Sequence, residues 1–299
     1  MQTKRQIQEL LLSAGVSPNR RLGQHFLVDL NLMTLLADTA RIGAEDVVLE
    51  VGCGTGSLTE MLARRAKRVV AVELDHTLAG IAQSQLADAN NVQIIHGDVL
   101  STKGMLNPAV AEALGEPPGR AGGRLLLVSN LPYDVASAVM IDLVQGPIIA
   151  DGMTVTVQKE VAERMTAAPG GKAYGTLSIF LGATSQIEIV RVLKPSVFWP
   201  PPGVDSAIVH AVHDPQRAGR IESMESLCQV VSLFMGHRRK MLRASVKHAP
   251  EGLGDVSHWM TVFESCAIDP AKRPEDLDPG QYVDLANRHH ELAGRTAAS

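Results

Sequence analysis

Residues 46–57 read DVVLEVGCGTGS. The run Asp46–Val51 is apolar, rich in valine and short, and it stops at Gly52-Cys53-Gly54-Thr55-Gly56. A short apolar run closed by glycines predicts a buried strand followed by a tight turn. Glycines there permit positive φ and a close approach to the backbone. Residues 57–65 (SLTEMLARR) have helical spacing, with Ser57 as the expected N-cap and Glu60 three residues on. Strand, glycine turn and helix in that order open many α/β sheets and cradle nucleotides or cofactors. The spacing is G-x-G-x-G, which is neither the G-x-G-x-x-G dinucleotide fingerprint nor a P-loop with its G-K-[ST]. A plain tight turn stays open on this stretch alone.

The pattern repeats outward. RVVAVELD (68–75), VQIIHGD (92–98), RLLLVSN (124–130), MTVTVQ (153–158) and SAIVHAVH (206–213) read as further strands. Helical stretches at 76–89, 135–145 and 159–167 separate several of them, and the Gly/Pro/Ala-rich 101–123 reads as containing a loop. Alternation of this kind predicts a doubly wound α/β domain with a largely parallel sheet. From Glu222 onward the segments are helical. The expected division is a domain over 1–214 and a small all-helical domain over 215–299.

The 299-residue length suits one large domain or two ordinary ones, and 45% hydrophobic content suits a globular chain. No apolar run approaches the ~20 residues of a membrane span. MQTKRQIQELLLSAG is too polar for a secretory signal, so a cytoplasmic location is expected. Cys53, Cys228 and Cys266 are an odd number at no regular spacing, which reads as reduced thiols. The ten histidines show no metal-ligand spacing, so no metal is expected. Net charge of −4 means that nucleic-acid affinity, if any, is local.

Two acids sharpen the glycine turn. Glu73 ends the second strand, where a carboxylate can accept both ribose hydroxyls. Asp98 ends the third, where a carboxylate can accept an adenine amino group. Either acid alone could equally cap the following helix. Together with Gly52, Gly54 and Gly56 on one sheet edge, the set suits S-adenosylmethionine, which carries ribose, adenine and an amino-acid tail but no phosphate. An NAD-linked oxidoreductase is the runner-up and would want the longer glycine fingerprint.

The fourth strand runs into SNLPYDV (129–135). A turn has no use for a tyrosine. Catalysis on an exocyclic base amine does. The nitrogen lone pair of such an amine is delocalised into the ring. The Asn130 side-chain oxygen and the Leu131 carbonyl can each hold one N–H and aim the lone pair at a methyl donor. Pro132 stiffens the segment, and Tyr133 can stack on a flipped base. Transfer from a sulfonium needs positioning and exclusion of water more than a strong base.

The chain closely resembles the KsgA-type family of bacterial small-subunit (16S) rRNA adenine N6-dimethyltransferases. The resemblance rests on RRLGQHFLVD (20–29), VLEVGCGTGSLTE (48–60), AVELD (71–75), HGDVL (96–100) and SNLPYDVAS (129–137). It continues through VQKEVAERM (157–165), YGTLSIF (174–180), PSVFWPPPGVDSAIV (195–209), FMGHRRKMLR (234–243) and RPEDL (273–277). It implies a Rossmann-like class I S-adenosylmethionine-dependent methyltransferase domain with a small all-helical C-terminal domain. It implies methylation of two adjacent adenosines near the 3′ end of small-subunit rRNA, two methyl groups per base. It also implies cofactor contacts at His25, Leu27, Gly52, Glu73, Asp98 and Asn130. Cys53, Ser129, Asp134 and Ala244 depart from the family's commoner proline, glycine, asparagine and asparagine. Cys53 reads as a small packing residue in the turn, and Asp134 adds charge near the base pocket.

RNA must also be held. GHRRKMLRASVKH (236–248) has five Lys/Arg and no acid, with Arg238, Arg239, Lys240 and Arg243 as the expected phosphate contacts. Arg20-Arg21, residues 64–68 and Lys272-Arg273 add basic clusters; each patch could equally be a solvated face. Aromatic content of 3% argues against extensive base stacking and for folded RNA, 16S rRNA in the small subunit or its precursor. A monomer is expected. The rivals are a large-subunit rRNA resistance methyltransferase and a non-catalytic assembly or transcription factor on the same fold.

Overall fold

The computed structural model describes residues 2–19, 23–102, 105–115 and 123–297. Arg20 and Arg21 lie outside these, as does much of the 101–123 loop. The chain divides into two compact units, Met1–Ala162 with Ile187–Val212, and Glu163–Gln186 with His213–Ser299.

Seven strands form the main sheet: β1 (Val47–Val51), β2 (Arg68–Glu73), β3 (Val92–His96), β4 (Leu125–Asn130), β5 (Gly152–Gln158), β6 (Ser185–Leu193) and β7 (Ser206–His213). Their order is β3-β2-β1-β4-β5-β7-β6. The first five run parallel, and β7 is antiparallel to β5. β1 is buried along its whole length, as a parallel strand covered on both faces must be. The chain passes from β3 back across β1 to β4, so β1 is the switch point of the sheet. Ligands of open α/β sheets bind outside the strand ends at such a point. The topology therefore sets the glycine turn after β1 beside the NLPY segment after β4.

Helices α1 (Lys4–Ser13), α2 (Leu30–Thr39), α3 (Ser57–Ala63), α4 (His76–Gln85), α5 (Pro108–Leu114) and α6 (Ala136–Gln145) belong to the first unit. Leu36, Leu62, Val48, Val69, Leu126 and Val128 share one fully buried cluster between helices and sheet. Truncating such a leucine to alanine typically costs about 2–5 kcal/mol. A two-stranded ribbon, Phe26–Leu27 against Phe198–Trp199, pins the GQHFL segment to the FWPPP segment.

Several expectations are corrected. Ser57 is not an N-cap: Gly56, at φ 84°, is the cap residue, and Ser57 begins the helix. Its hydroxyl instead accepts the Gln2 backbone N–H at 2.9 Å. Within the 101–123 loop the structure has α5, with Asn107 as its N-cap and a proline at its start. β6 is an addition to the expected strands; it is an outer strand with seven of its nine residues other than buried, in an irregular pattern.

The second unit is helical except at its strand ends. It contains α7 (Lys159–Met165) from Glu163, α8 (Thr176–Thr184), α9 (Pro215–Ala218), α10 (Met224–Gly236), α11 (Leu242–Ser245), α12 (Val256–Ser265) and α13 (Pro279–Ala297). Its boundary differs from the expected one because residues 163–186 join it. The reason is α8, TLSIFLGAT, which is buried on nearly every side. A helix apolar all round needs partners all round, and α10 and α13 supply them. The Tyr174 hydroxyl donates to the Leu277 carbonyl at 2.7 Å, and the Gly170 N–H to the Glu275 carbonyl at 2.6 Å. Trp259, Phe234 and Phe263 pack together at the centre.

Candidate functional site

The carboxyl ends of β1 to β4 open on one cavity in the first unit. His25, Leu27, Gly52, Gly54, Glu73, Asp98, Asn130, Leu131, Pro132 and Tyr133 all line it. Every proposed cofactor and catalytic position is thus brought to one place, from segments over 100 residues apart.

The glycine turn is required by its own neighbours. Gly52 has φ 76°, and a Cβ there would lie 2.8 Å from Pro132 Cγ. Gly54 has φ 58°, and a Cβ there would lie 2.9 Å from the Phe26 ring. Both side-chain-bearing backbones and side-chain volume are excluded.

The acids are not helix caps. Asp75 caps α4, accepting from Thr77 and Leu78. Asn107, not Asp98, caps α5. Glu73 instead braces the turn: Oε2 accepts the Gly54 N–H at 2.8 Å and Oε1 the Asp75 N–H at 2.9 Å. Each carboxylate oxygen keeps a second acceptor site for a ligand hydroxyl. Burial pushes the Glu73 carboxyl up, against these two bonds. Asp98 is exposed, and its Oδ1 accepts the Leu100 N–H at 3.0 Å.

Glu50 is the residue that the sequence reading passed over. It lines the cavity, is buried, and its Oε2 has no hydrogen-bond partner. Burial, with the Glu73 charge adding to it, pushes its pKa up to about 8. An acid in the middle of an apolar strand was the available signal, because a buried unpaired carboxylate is costly unless a ligand meets it. A cationic group in the ligand suits that oxygen.

Asn130 donates its amide N–H to the His25 carbonyl at 2.8 Å. The His25 ring stacks against Tyr133 at 5.9 Å between centroids, and its Nδ1 lies 2.7 Å from the Pro200 carbonyl oxygen. A carbonyl only accepts, so Nδ1 carries the proton. The Leu131 N–H donates to the Thr156 carbonyl at 3.1 Å, and the Tyr133 hydroxyl meets Ser206 Oγ at 2.6 Å. Burial raises the Tyr133 phenol above its ordinary value.

Two departures from the family pattern have a structural account. Ser129 is fully buried and its hydroxyl donates to the Val51 carbonyl at 2.6 Å, tying β4 to the end of β1. Cys53 is buried, and burial together with Glu50 and Glu73 pushes its thiol well above the usual range, so it is no nucleophile at neutral pH. Asp134 is exposed at the cavity. Nothing in the structure explains Ala244.

In the second unit, Arg239, Lys240, Arg243 and Lys247 are exposed. Arg238 differs from these in being half-buried and tied within the unit. Its Nε donates to Glu275 at 2.7 Å, and its Nη2 to the Gly171 and Lys172 carbonyls at 3.0 and 3.1 Å. Among the described residues, no group of three or more His, Cys, Asp or Glu is placed to hold a metal ion, and no helix is long and apolar enough to cross a membrane.

The sheet order, the glycine turn at the switch point and the acids on β1 and β2 define a class I methyltransferase domain. The chain belongs to the ribosomal RNA adenine dimethylase family, whose model matches residues 15–290. It is 37% identical over 280 residues, 93% of each chain, to a ribosomal RNA small subunit methyltransferase A of Geobacillus thermodenitrificans. It is 35% identical, again over 93% of each chain, to one of Listeria monocytogenes. In fold it is similar to a dimethyladenosine transferase of Plasmodium falciparum, with TM-score 0.71, 22% identity and coverage of 90% of this chain and 98% of that one. It is also similar to the 23S rRNA methyltransferase ErmE, with TM-score 0.63, 23% identity and coverage of 89% and 99%. The protein is therefore an enzyme that transfers methyl groups to adenine in ribosomal RNA, and its donor is S-adenosylmethionine.

Proposed function

We propose that the enzyme dimethylates N6 of two adjacent adenosines near the 3′ end of 16S rRNA, in the small subunit or its precursor. We further propose that it acts as a cytoplasmic monomer. The names of the relatives at 35–37% identity support the small subunit over the large.

In this reading Glu73 holds the ribose, Asp98 the adenine amino group and Glu50 the cationic tail, with Gly52 and Gly54 giving backbone access and His25 and Leu27 walling the cavity. When bound, S-adenosylmethionine supplies an electrophilic methyl group. The chain's own residues prepare the amine. The single observation that carries this is the Asn130 to His25 bond, which fixes the amide so that Oδ1 is its acceptor end. Oδ1 and the Leu131 carbonyl each take one N–H of the adenine amine, and the lone pair turns out of conjugation. Pro132 keeps the segment rigid. Tyr133 offers a ring backed by His25 for the flipped base. It is not the base of the reaction, since its phenol is raised and its hydroxyl is engaged with Ser206.

RNA phosphates meet Arg239, Lys240 and Arg243 on the second unit, with Lys247 beside them. A mass-spectrometric map of methylated adenosines on reconstituted small subunits tests the reading. Two neighbouring dimethyladenosines near the 3′ end of 16S rRNA are expected; methylation of large-subunit RNA alone would overturn it.

A further inference from the structure

Gln2 stands outside the catalytic motifs, yet it is buried and makes three hydrogen bonds. Its side-chain amide pairs reciprocally with Thr55. Nε2 donates to the Thr55 carbonyl at 3.0 Å, and Oε1 accepts from the Thr55 hydroxyl at 2.6 Å. Its backbone N–H donates to Ser57 Oγ at 2.9 Å. Thr55 and Ser57 flank Gly56 and line the cavity. One residue therefore grips the second half of the glycine turn, while Glu73 grips the first half through Gly54.

The same contact anchors α1. The helix starts just after Gln2, with Thr3 as N-cap and Gln6 completing a capping box. Only Ile7 and Leu11 of α1 are buried. They pack on Leu78, with Phe26 and Trp199 alongside, in a cluster separate from the main core. Ile7 and Leu78 both line the cavity. α1 buries two apolar side chains, and the Gln2 contacts fix the chain just before its N-terminal end. A segment with few buried apolar contacts opens at low free-energy cost.

We propose that Gln2 is a positioning residue for the methyl-donor site: it holds the Thr55–Ser57 end of the glycine turn and, by anchoring α1, holds Ile7 on the cavity wall. The N-terminal segment is then part of the donor site. It sets donor affinity and takes no part in methyl transfer. This rests on the donor site as read above.

The test uses the full chain with any tag at the C-terminus. S-adenosylhomocysteine is titrated calorimetrically into the wild type, Gln2→Ala and Gln2→Glu, and amide hydrogen exchange over residues 4–13 is followed in the ligand-free proteins. Gln2→Ala removes two hydrogen bonds, so affinity should fall roughly 5- to 100-fold. Exchange in α1 should quicken in the free protein, and single-turnover transfer at saturating donor should keep its rate. Gln2→Glu keeps an acceptor for the Thr55 hydroxyl but buries a carboxylate oxygen against the Thr55 carbonyl, so its affinity should fall at least as far as that of Gln2→Ala. If Gln2→Ala does not fold, Ser57→Ala, which cuts the bond to the Gln2 backbone and the weak hydroxyl contact with Met33 Sδ at 3.7 Å, should shift affinity in the same direction. Unchanged affinity in a folded variant, even with a lower melting temperature, overturns the proposal. Failure of the donor-site reading is distinct: Glu73→Ala would then bind as tightly as the wild type.

Discussion

Asn130 gives its amide N–H to the backbone carbonyl of His25, 2.8 Å away, and so ties the end of β4 to a segment 105 residues earlier. The bond decides which end of the amide is left to accept. Asn130→Ala removes that acceptor and leaves the His25 carbonyl without its donor. Losing one preorganised polar group of this kind typically costs ~10²–10³ in rate. RNA affinity should change little, because phosphate contacts dominate it. Single-turnover transfer at saturating donor and RNA is the measurement. A near-normal rate would reduce NLPY to a turn.

Tyr133 separates stacking from hydrogen bonding. Tyr133→Phe keeps the ring and its contact with His25 but loses the hydroxyl's partner in Ser206. A net loss of about 0.5–1.5 kcal/mol in stability is expected, with most activity kept. Tyr133→Ala removes the platform and should cut the rate far more. Equal rates for the two variants would show that the ring does not hold the base.

The two buried acids should be told apart by pH and by affinity. Glu73→Ala removes two ligand bonds and frees the Gly54 and Asp75 N–H groups. At ~1–3 kcal/mol, donor affinity should drop roughly 5- to 150-fold by calorimetric titration. Glu50 titrates near pH 8, above its ordinary 4.5, because burial disfavours its charge. The folded chain then holds a proton that the unfolded chain has lost across that window. Stability therefore falls as pH rises from about 4.5 to 8, and the loss is complete above. Glu50→Gln should flatten that slope in denaturant titrations. A cation at Oε2 favours the ionised form, so donor binding by the wild type should tighten as pH rises from 6.5 to 8. In Glu50→Gln it should be weaker and insensitive to pH over that range. An unchanged slope in the variant would place the titration elsewhere.

Periodicity revealed the parallel sheet because β1, β2 and β4 are short apolar runs closed by glycine or polar residues, a signal local to each strand. The site was legible for the same reason: its residues sit at strand ends, and one topology carries them all to one edge. What could not be read depended on partners distant in sequence. Ser57 looked like a cap because its spacing to Glu60 is right, but Gly56 at φ 84° makes the turn and Gln2 takes the hydroxyl. β6 was hidden because an outer strand needs no regular alternation. Residues 163–186 were assigned by their place in the chain, whereas α8 is held by helices 40 and more residues later. Arg238 was counted as a phosphate contact by its basic neighbours, and only the fold brings Glu275 to it.

That last difference gives the basic segment a sharper test than uniform alanine replacement. Arg239, Lys240 and Arg243 are exposed, so replacing all three with alanine should leave folding and donor binding intact. Binding to the small-subunit particle should weaken, and its salt dependence should flatten by up to ~0.9 per lost phosphate contact on duplex RNA, less on single strands. Arg238→Ala should behave otherwise. It leaves Glu275 without its closest cation and two carbonyls without a donor, in a part-buried setting. Hydrogen bonds to a charged group contribute about 1.5–3 kcal/mol, so the second unit should lose stability by that order. The salt slope of whatever remains folded should stay near the wild-type value. Denaturant unfolding and salt-dependent particle binding, run on both variants, separate the two roles. A stable Arg238→Ala with a flattened slope would return Arg238 to the RNA surface, and a fixed slope in the triple variant would mean that the patch meets only solvent.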